Sequence, residues 1–507
     1  MEYRKWHNVY EKYGIKKDIT YSDKSMVNVL REVAKRYPRR VALEYMGRKI
    51  TYKRLIRLID MCATGLVLRG IKRGDVVSLC LPNIPNTVIA FYALNLIGAI
   101  PCMIHPLSTP SEIARFLEET NSKMLIAFDF IYPKLLDKQN VIVAKAFDYI
   151  LFPCKSWRSI MKKPLLIEDN GSGGDTAAIL YSGATSTGKP KGILLSNANF
   201  NALAESLCAV VNQDKEQKSM LAILPLFHGF GLGICMHTML TQGFSVILEP
   251  RFSTKIFANA INKRRPTHIA GIPSMYKALM KKSKNLDLSC IKGIFCGGDF
   301  ASVDFKQNFN KFIKEHNGNV AIREGYGLTE MVTACVIMPD EDGHISSVGI
   351  PMPGVDVKIL DFETGQPCEE GEICLAGPMV MKGYLGDQKE IDWLHTGDRG
   401  HIDAEGYLYF TERVKRIIKR SGFPVYPSAV EEVILKCDGV TDCAVVGIPD
   451  EFYGQRVAAY IVGKTTEEQI IEHCKEFLNK WSVPSKVVFL DNLPLTKLGK
   501  VDYNCLN

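Results

Sequence analysis

The sequence predicts an α/β protein with a large N-terminal domain (1–412) of parallel and mixed sheets covered by helices. This domain closes in a β-rich subdomain at about 345–412, and a small α+β C-terminal domain (413–507) follows. From Thr51 onward, short apolar runs of strand length alternate with helix-period patterns, which implies a parallel sheet covered on both faces. From Gly349 the texture changes: Val355, Val357 and Ile359 alternate with polar residues, and turns fall at Glu363-Thr364-Gly365 and Asp403-Ala404-Glu405-Gly406. A basic stretch at 412–420 then separates a remainder with its own mixed pattern.

In chain order, Leu55, Leu58, Ile59, Cys62 and Leu66 recur at helical spacing behind Thr51, a capping residue. Turns at Gly70 and Gly74-Asp75 lead into a strand at 76–81. A helix over 85–97 stops at Gly98, and the run 100–104 is the next strand. A third helix starts at Thr109, with Pro110 at its first position and Glu112 placed to complete a capping box. Strands are expected again near 220–224, 244–248, 268–272 and 291–295. The C-terminal part predicts a helix after Pro427, strands at 444–446 and 457–462, a helix near 467–478 and a strand at 487–490.

The 507 residues suffice for two or more domains and a large core. With 46% apolar and 23% charged residues, the composition excludes the disordered and fibrous classes. The net charge of +8 is dispersed apart from short clusters such as 36–40 and 415–420. That suits anionic small ligands and gives no indication of nucleic acid. The 15 cysteines contain no CxxC pair and no zinc-like spacing, and the start MEYRKWHNVYEKYG is too polar for a signal peptide, so free thiols in the cytoplasm are expected. The most apolar window, 88–104, is broken by Asn95, Gly98 and Pro101 and reads as a buried helix and strand, with no integral membrane segment.

The stretch most specific for chemistry is 181–192, YSGATSTGKPKG, which follows the apolar run 177–180. Backbone N–H groups of Gly183 and Gly188, the hydroxyls of Ser182, Thr185, Ser186 and Thr187, and the ammonium groups of Lys189 and Lys191 could converge on phosphate oxygens there. An exposed Gly/Ser turn is the plainer reading. Both lysines lie at the downstream end and a new apolar run begins at Ile193, which favours a phosphate loop. Gly183 and Gly188-Lys189 also match the start of a P-loop, GxxxxGK. That reading fails because Pro190 stands where a Ser or Thr is required and a strand, not a helix, follows.

This loop resembles the signature of the adenylate-forming (AMP-binding) superfamily, which includes acyl-CoA synthetases, luciferases and peptide-synthetase adenylation domains. Ser182-Gly183, Thr187-Gly188 and Pro190-Lys191-Gly192 fit the pattern (T/S)(S/G)G(T/S)TGxPKG, with one extra residue within Ala184-Thr185-Ser186. Which hydroxyl meets which phosphate is left open by that insertion. The resemblance runs from Thr51 to Val501 with the motifs in family order, including Gly371-Glu372, Gly377-Pro378 and 446–450.

Pro225-Leu226-Phe227-His228-Gly229 resembles a PxFH segment that places His228 and Gly229 by an acyl pocket; alone, His228 would read as a satisfied strand-end histidine. No Asp stands there to bind a substrate amine, which tilts the reading to a simple carboxylic acid, and Gly229, Gly231 and Gly233 hint at space near His228. Gly297-Gly298-Asp299 resembles the adenine turn, where missing side chains would let the purine approach the backbone. In Glu324-Gly325-Tyr326-Gly327-Leu328-Thr329-Glu330 the resemblance implies Tyr326 against adenine, flanked by Gly325 and Gly327. Thr329 would reach the α-phosphate and Glu330 would hold Mg²⁺.

Asp398, in Thr396-Gly397-Asp398, would accept from the ribose hydroxyls, and Arg413 would contact ribose or phosphate; a surface ion pair is the plainer alternative. The segment 413–422 looks like the family hinge, with Lys415 as pivot and Gly422 lining a pantetheine tunnel, while Glu412 replaces the commoner Asp or Gly. Pro494 to Val501 resembles PxTxxGK(I/V), which makes Lys500 the catalytic lysine between carboxylate and phosphate oxygens.

The implied enzyme is an ATP-dependent acyl-CoA synthetase acting on a fatty or aryl acid, with ATP, Mg²⁺ and CoA. A carboxylate is a poor electrophile; attack on the α-phosphate of ATP releases pyrophosphate and makes AMP a good leaving group, which the thiol of CoA then displaces. The resemblance implies a mobile C-terminal domain that rotates between the two half-reactions. The alternatives are an enzyme that loads a carrier-protein phosphopantetheine arm and a non-catalytic nucleotide or acyl sensor.

Overall fold

The computed structural model describes residues 4–182, 190–211, 218–282, 285–339, 343–387, 389–413, 416, 418–420, 423–450, 454–478, 480–496 and 499–506. The chain forms two compact units. The first comprises Met1–Asp356, Leu375–Leu394 and Glu405–Tyr407, and the second Val357–Cys374, His395–Ala404 and Leu408–Asn507.

Two sheets build the first unit. A seven-stranded sheet has the order Gly383–Tyr384, Gly192–Ser196, Thr176–Tyr181, Ile100–Met103, Val76–Cys80, Met124–Phe128 and Val141–Ala144. The strands from Thr176–Tyr181 to Val141–Ala144 are parallel, while Gly192–Ser196 turns back antiparallel with Tyr181 opposite Gly192. The phosphate-loop stretch therefore joins the arms of a hairpin. A nine-stranded sheet has the order Ile350–Pro351, Val336–Ile337, Ile322–Tyr326, Gly293–Gly297, His268–Gly271, Ser219–Ala222, Ser245–Leu248, Val41–Tyr45 and Arg48–Thr51. Its strands from Ile322–Tyr326 to Val41–Tyr45 are parallel, and the outer ones are antiparallel.

Local chemistry explains the covering helices. Thr51 caps Tyr52–Val67 by accepting from Arg54 N at 3.3 Å. The expected capping box is present: Thr109 Oγ1 accepts from Glu112 N, and Glu112 Oε2 accepts from Thr109 N at 2.7 Å. Helix Pro85–Ile97 is buried on every side through Leu96, so it shows no apolar stripe, and it ends at Gly98 with φ 71°. Near it His237 is fully buried, with Nδ1 2.9 Å from Tyr92 Oη and Nε2 3.0 Å from Asn201 Oδ1. Burial lowers its pKa to about 3 and keeps the ring neutral.

The second unit contains most of a four-stranded antiparallel sheet, Asp356–Leu360, Glu370–Ala376, Leu394–Ile402 and Leu408–Arg413. Beyond it, Phe423–Val425, Ile418–Arg420, Gly454–Gly463, Val440–Asp450 and Lys486–Phe489 form a five-stranded sheet. Helices Pro427–Leu435 and Glu467–Phe477 close a core of Val430, Ile434, Val445, Val457, Ile461 and Ile470. The expected α/β class, β-rich subdomain and α+β C-terminal part are all present. The 15 cysteines are free thiols, and among the described residues no helix is long and apolar enough to cross a membrane.

Candidate active site

In the nine-stranded sheet, Gly293–Gly297 and Ile322–Tyr326 run parallel with Gly297 opposite Gly325. Gly297-Gly298-Asp299 and Tyr326-Gly327 therefore leave the sheet at one edge, side by side. Underneath, Glu324 and Lys306 form a buried ion pair at 2.6 Å. Burial raises the Glu324 pKa and the lysine opposes the shift. The glycines serve close backbone packing: a Cβ on Gly297 would lie 2.8 Å from Gly325 O, and one on Gly327 1.8 Å from Thr333 O. Gly298 has φ 81°, which turns the chain before Asp299, whose carboxylate accepts from Phe300 N at 2.9 Å.

The next residues make a tight structure. Thr329–Met331 is a single 3₁₀ turn, and Val332 follows with φ 64° and ψ −58° while Thr333 N donates to Met331 O at 2.7 Å. This is a γ-turn in the strained, positive-φ form, on a fully buried β-branched residue. It is wedged in place from the side of His228. A Cβ on Gly229 would lie 1.7 Å from Val332 O, one on Gly231 2.1 Å from Pro225 O, and one on Gly233 2.7 Å from Leu203 Cδ2. The reading of these glycines as space near His228 is thus corrected: the missing side chains admit neighbouring backbone and side chains. His228 itself accepts from Phe230 N through Nδ1 at 3.3 Å, ahead of the buried π-helical turn Phe230–Thr238.

Of the phosphate-loop residues, Ser182 and Lys191 close the hairpin by paired hydrogen bonds, Ser182 N to Lys191 O and Lys191 N to Ser182 Oγ, at 3.1 and 3.2 Å. Gly183, Thr185, Ser186, Thr187, Gly188 and Lys189 lie outside the described residues, as do Lys415 and Gly422.

In the second unit, Asp398 and Arg413 face each other across paired strands. Arg413 Nε lies 2.7 Å from Asp398 Oδ1, and Nη2 lies 3.3 Å from Oδ2. The carboxylate is buried while the arginine is half exposed. Thr396 Oγ1 donates to Ile373 O and accepts from Asp398 N, and Glu372 Oε1 accepts from Gly397 N at 2.9 Å. The aspartate is therefore held by an ordered turn. Lys500 sits on a separate hairpin turn, where Thr496 N donates to Lys500 O at 2.7 Å and Gly499 adopts φ 80°.

Residues 30–385 match the family model of the AMP-binding enzyme, and residues 429–500 that of the AMP-binding enzyme C-terminal domain. The chain belongs to the AMP-binding enzyme family. The long-chain-fatty-acid–CoA ligase of Bacillus subtilis (strain 168) is 30% identical over 534 residues, covering 96% of this chain and 94% of that protein. The o-succinylbenzoate CoA synthetase of Bacillus subtilis, in complex with its acyl-adenylate intermediate, is similar at 27% identity and a TM-score of 0.82. That match covers 96% of this chain and 99% of the synthetase. The same synthetase with ATP and a magnesium ion gives a TM-score of 0.80 at 27% identity, over 94% and 98% of the two chains.

Two residues of this AMP-binding enzyme, one in each unit, acquire their partners only in three dimensions. Strand Gly383–Tyr384 pairs with Gly192–Ser196, and Tyr384 Oη donates to Glu330 Oε1 at 3.1 Å while Lys191 Nζ lies 4.7 Å over its ring. Burial, then the Glu330 charge, raises the Tyr384 pKa, so the phenol remains a donor. The sequence signal was only a Gly-Tyr pair downstream of Gly377-Pro378.

The second is Glu412, fully buried beside Arg413. Its Oε2 accepts from Ser428 N at 3.1 Å, and its Oε1 is 3.8 Å from Arg416 Nη1, which belongs to a guanidinium paired to Glu431 at 2.6 Å. Burial raises the Glu412 pKa from 4.5 to about 7, against the pull of Arg416. Below pH 4.5 both folded and unfolded chains carry the proton; above it the unfolded chain loses it first. The stability due to this carboxyl is therefore fully present below pH 4.5 and is lost as pH rises through about 7. Glu412→Gln removes that titration, so the melting temperature of the variant should gain on the parent between pH about 5 and about 8. Parallel melting curves across that range would contradict the assignment.

Proposed function

We propose that the protein is an ATP-dependent acid–CoA ligase that converts a simple carboxylic acid, fatty or aryl, to its acyl-adenylate and then to the CoA thioester. The observation that carries this reading is the convergence within one unit of the Gly297–Asp299 turn, the Tyr326–Glu330 segment and Lys191, linked through Tyr384. Support also comes from the Bacillus relatives, one named for long-chain fatty acids and one for o-succinylbenzoate. The match to the former spans 96% of this chain, and we take the fatty class as the first to test.

In this reading Gly297, Gly298, Asp299, Gly325, Tyr326 and Gly327 border adenine, Asp398 and Arg413 take the ribose, and His228 and Gly229 border the acyl chain. Arg413 donates to both Asp398 oxygens, and in this reading the ribose hydroxyls share that carboxylate with it. Lys191, Ser182 and residues 183–189 hold phosphate oxygens, and Thr329 reaches the α-phosphate. Glu330 and Thr329 offer hard oxygens, a donor set that fits Mg²⁺, which would supply positive charge beside the phosphates. The acid oxygen forms a bond to the α-phosphorus as the bond to pyrophosphate breaks, while Lys500 offsets charge on both partners. The CoA sulfur then bonds to the acyl carbon and AMP leaves. Lys415 as pivot and Gly422 on the pantetheine path complete the reading.

Acid-dependent pyrophosphate release, measured across short, long and aryl carboxylates with and without CoA, should be strongest for a fatty acid and should yield thioester with free CoA. Silence across the panel with ATP bound would overturn the ligase. Lys500→Ala should abolish adenylate formation and spare thioester formation from ready-made acyl-AMP; equal loss of both would remove Lys500 from its role. Tyr384→Phe removes a hydrogen bond to a charged group and should raise the Mg²⁺ concentration for half-maximal pyrophosphate release roughly tenfold with unchanged melting temperature. An unaltered Mg²⁺ dependence would leave Tyr384 a packing residue.

A further inference from the structure

We propose that two adjoining loops at the edge of the seven-stranded sheet dock the protein onto an anionic phospholipid bilayer. Strands Met124–Phe128 and Val141–Ala144 are parallel neighbours with Phe128 opposite Ala144, so their exit loops leave the sheet together, joined by Asp129 N donating to Ala144 O at 3.0 Å. On these loops Phe130 is 58% exposed, Phe147 55%, Leu151 72% and Phe152 83%. Single exposed apolar residues are ordinary, but four large ones on two touching loops form a patch.

The patch is built rather than slack. Between its apolar residues Asp148 is buried, and its carboxylate accepts from Asn86 Nδ2 at 3.0 Å, Lys145 N at 2.8 Å and Cys154 N at 2.7 Å. Leu151 N donates to Phe147 O at 3.0 Å, which closes one helical turn and sets both side chains on one face. Buried Trp157 donates to Tyr149 Oη at 3.0 Å from below. The loop thus turns its carboxylate, tyrosine and tryptophan inward and holds Phe147, Leu151 and Phe152 out.

Its rim is basic. Lys134 Nζ lies 4.2 Å over the Phe130 ring, and Lys145, Lys155 and Arg158 are exposed. Over 130–163 there are seven Lys and Arg against two Asp, and one of those is the buried Asp148. Apolar tips ringed by long cationic side chains match a layer with anionic headgroups above acyl chains. A second copy of the same surface would set like charges against each other. The proposal does not depend on which acid the enzyme takes.

The test is sedimentation of the full chain with phosphatidylcholine vesicles, with and without phosphatidylglycerol. The protein should pellet with the anionic vesicles, less so as salt is raised. Leu151→Ser with Phe152→Ser should lower the partition coefficient roughly tenfold, and Lys145→Glu with Lys155→Glu should lower it similarly. Acid-dependent pyrophosphate release in the absence of vesicles should be unchanged in both variants. No pelleting with anionic vesicles at low ionic strength, equal pelleting of parent and variants, or a dimer that the serine substitutions dissolve would each overturn the proposal.

Discussion

The geometry of the candidate site depends on backbone packed against backbone where no side chain could fit. Thr333 O occupies the place of a Cβ on Gly327, and Val332 O the place of one on Gly229, at 1.8 and 1.7 Å. These two approaches grip the 329–334 turn from both sides and hold Val332 in a conformation that a β-branched residue does not adopt by itself. A strained turn persists only where its surroundings over-determine it, and here the surroundings are a sheet edge and a π-helical turn. Thr329 and Glu330 sit next to that turn in the chain, so its packing helps to set their positions, together with the contacts Glu330 makes with Tyr384 and Met381 N.

Charge placement follows the same plan. Glu324, beneath the strand, is neutralised by Lys306 in a buried contact, whereas Glu330, at its end, meets a phenol and shares that phenol's ring with Lys191. A buried ion pair contributes little net stability but is costly to break, so the first pair fixes the strand. The second arrangement differs in kind. Tyr384 cannot neutralise Glu330; it orients one oxygen by a hydrogen bond and leaves the negative charge in place, and its ring face attracts the Lys191 ammonium from a neighbouring strand. In the proposed reading, a site that receives polyphosphate and a cation would keep opposite charges near each other in this way without letting them pair.

Much of the fold was legible because strand and helix periods are local: the capping box at Thr109 and Glu112, the stop at Gly98 and the run of buried strands from 219 to 297 were found within a residue or two of their expected places. The site was legible where a motif is contiguous. What was missed left no periodic pattern or contiguous motif. The hairpin Val41–Tyr45 and Arg48–Thr51 turns at Met46 and Gly47, with φ 46° and 81°, but its strands are short and one is charged, so no period emerged. Tyr384 comes from a strand of two residues, too short to leave a pattern. The glycines near His228 signal close approach as readily as open space, and only the position of Val332, about a hundred residues downstream, decides between the two.

In the second unit the alternation of a single strand separates the partners of two neighbouring residues. In Leu408–Arg413, Arg413 points outward to Asp398 while its neighbour Glu412 points inward, fully buried, toward Ser428 and Arg416. A pivot at Lys415 would fall between Glu412 and Arg416, so a rotation there would exchange the contacts that Glu412 makes with Ser428 and Arg416. An ionised carboxylate with one unpartnered oxygen would be a poor anchor in that position, since leaving it buried and charged is unfavourable in either orientation. A carboxyl whose pKa is raised to about 7 can be held neutral at little cost, by hydrogen bonds that are easily remade, while Arg416 keeps its stronger partner in Glu431. Glu412 therefore gives this segment a protonation equilibrium near pH 7.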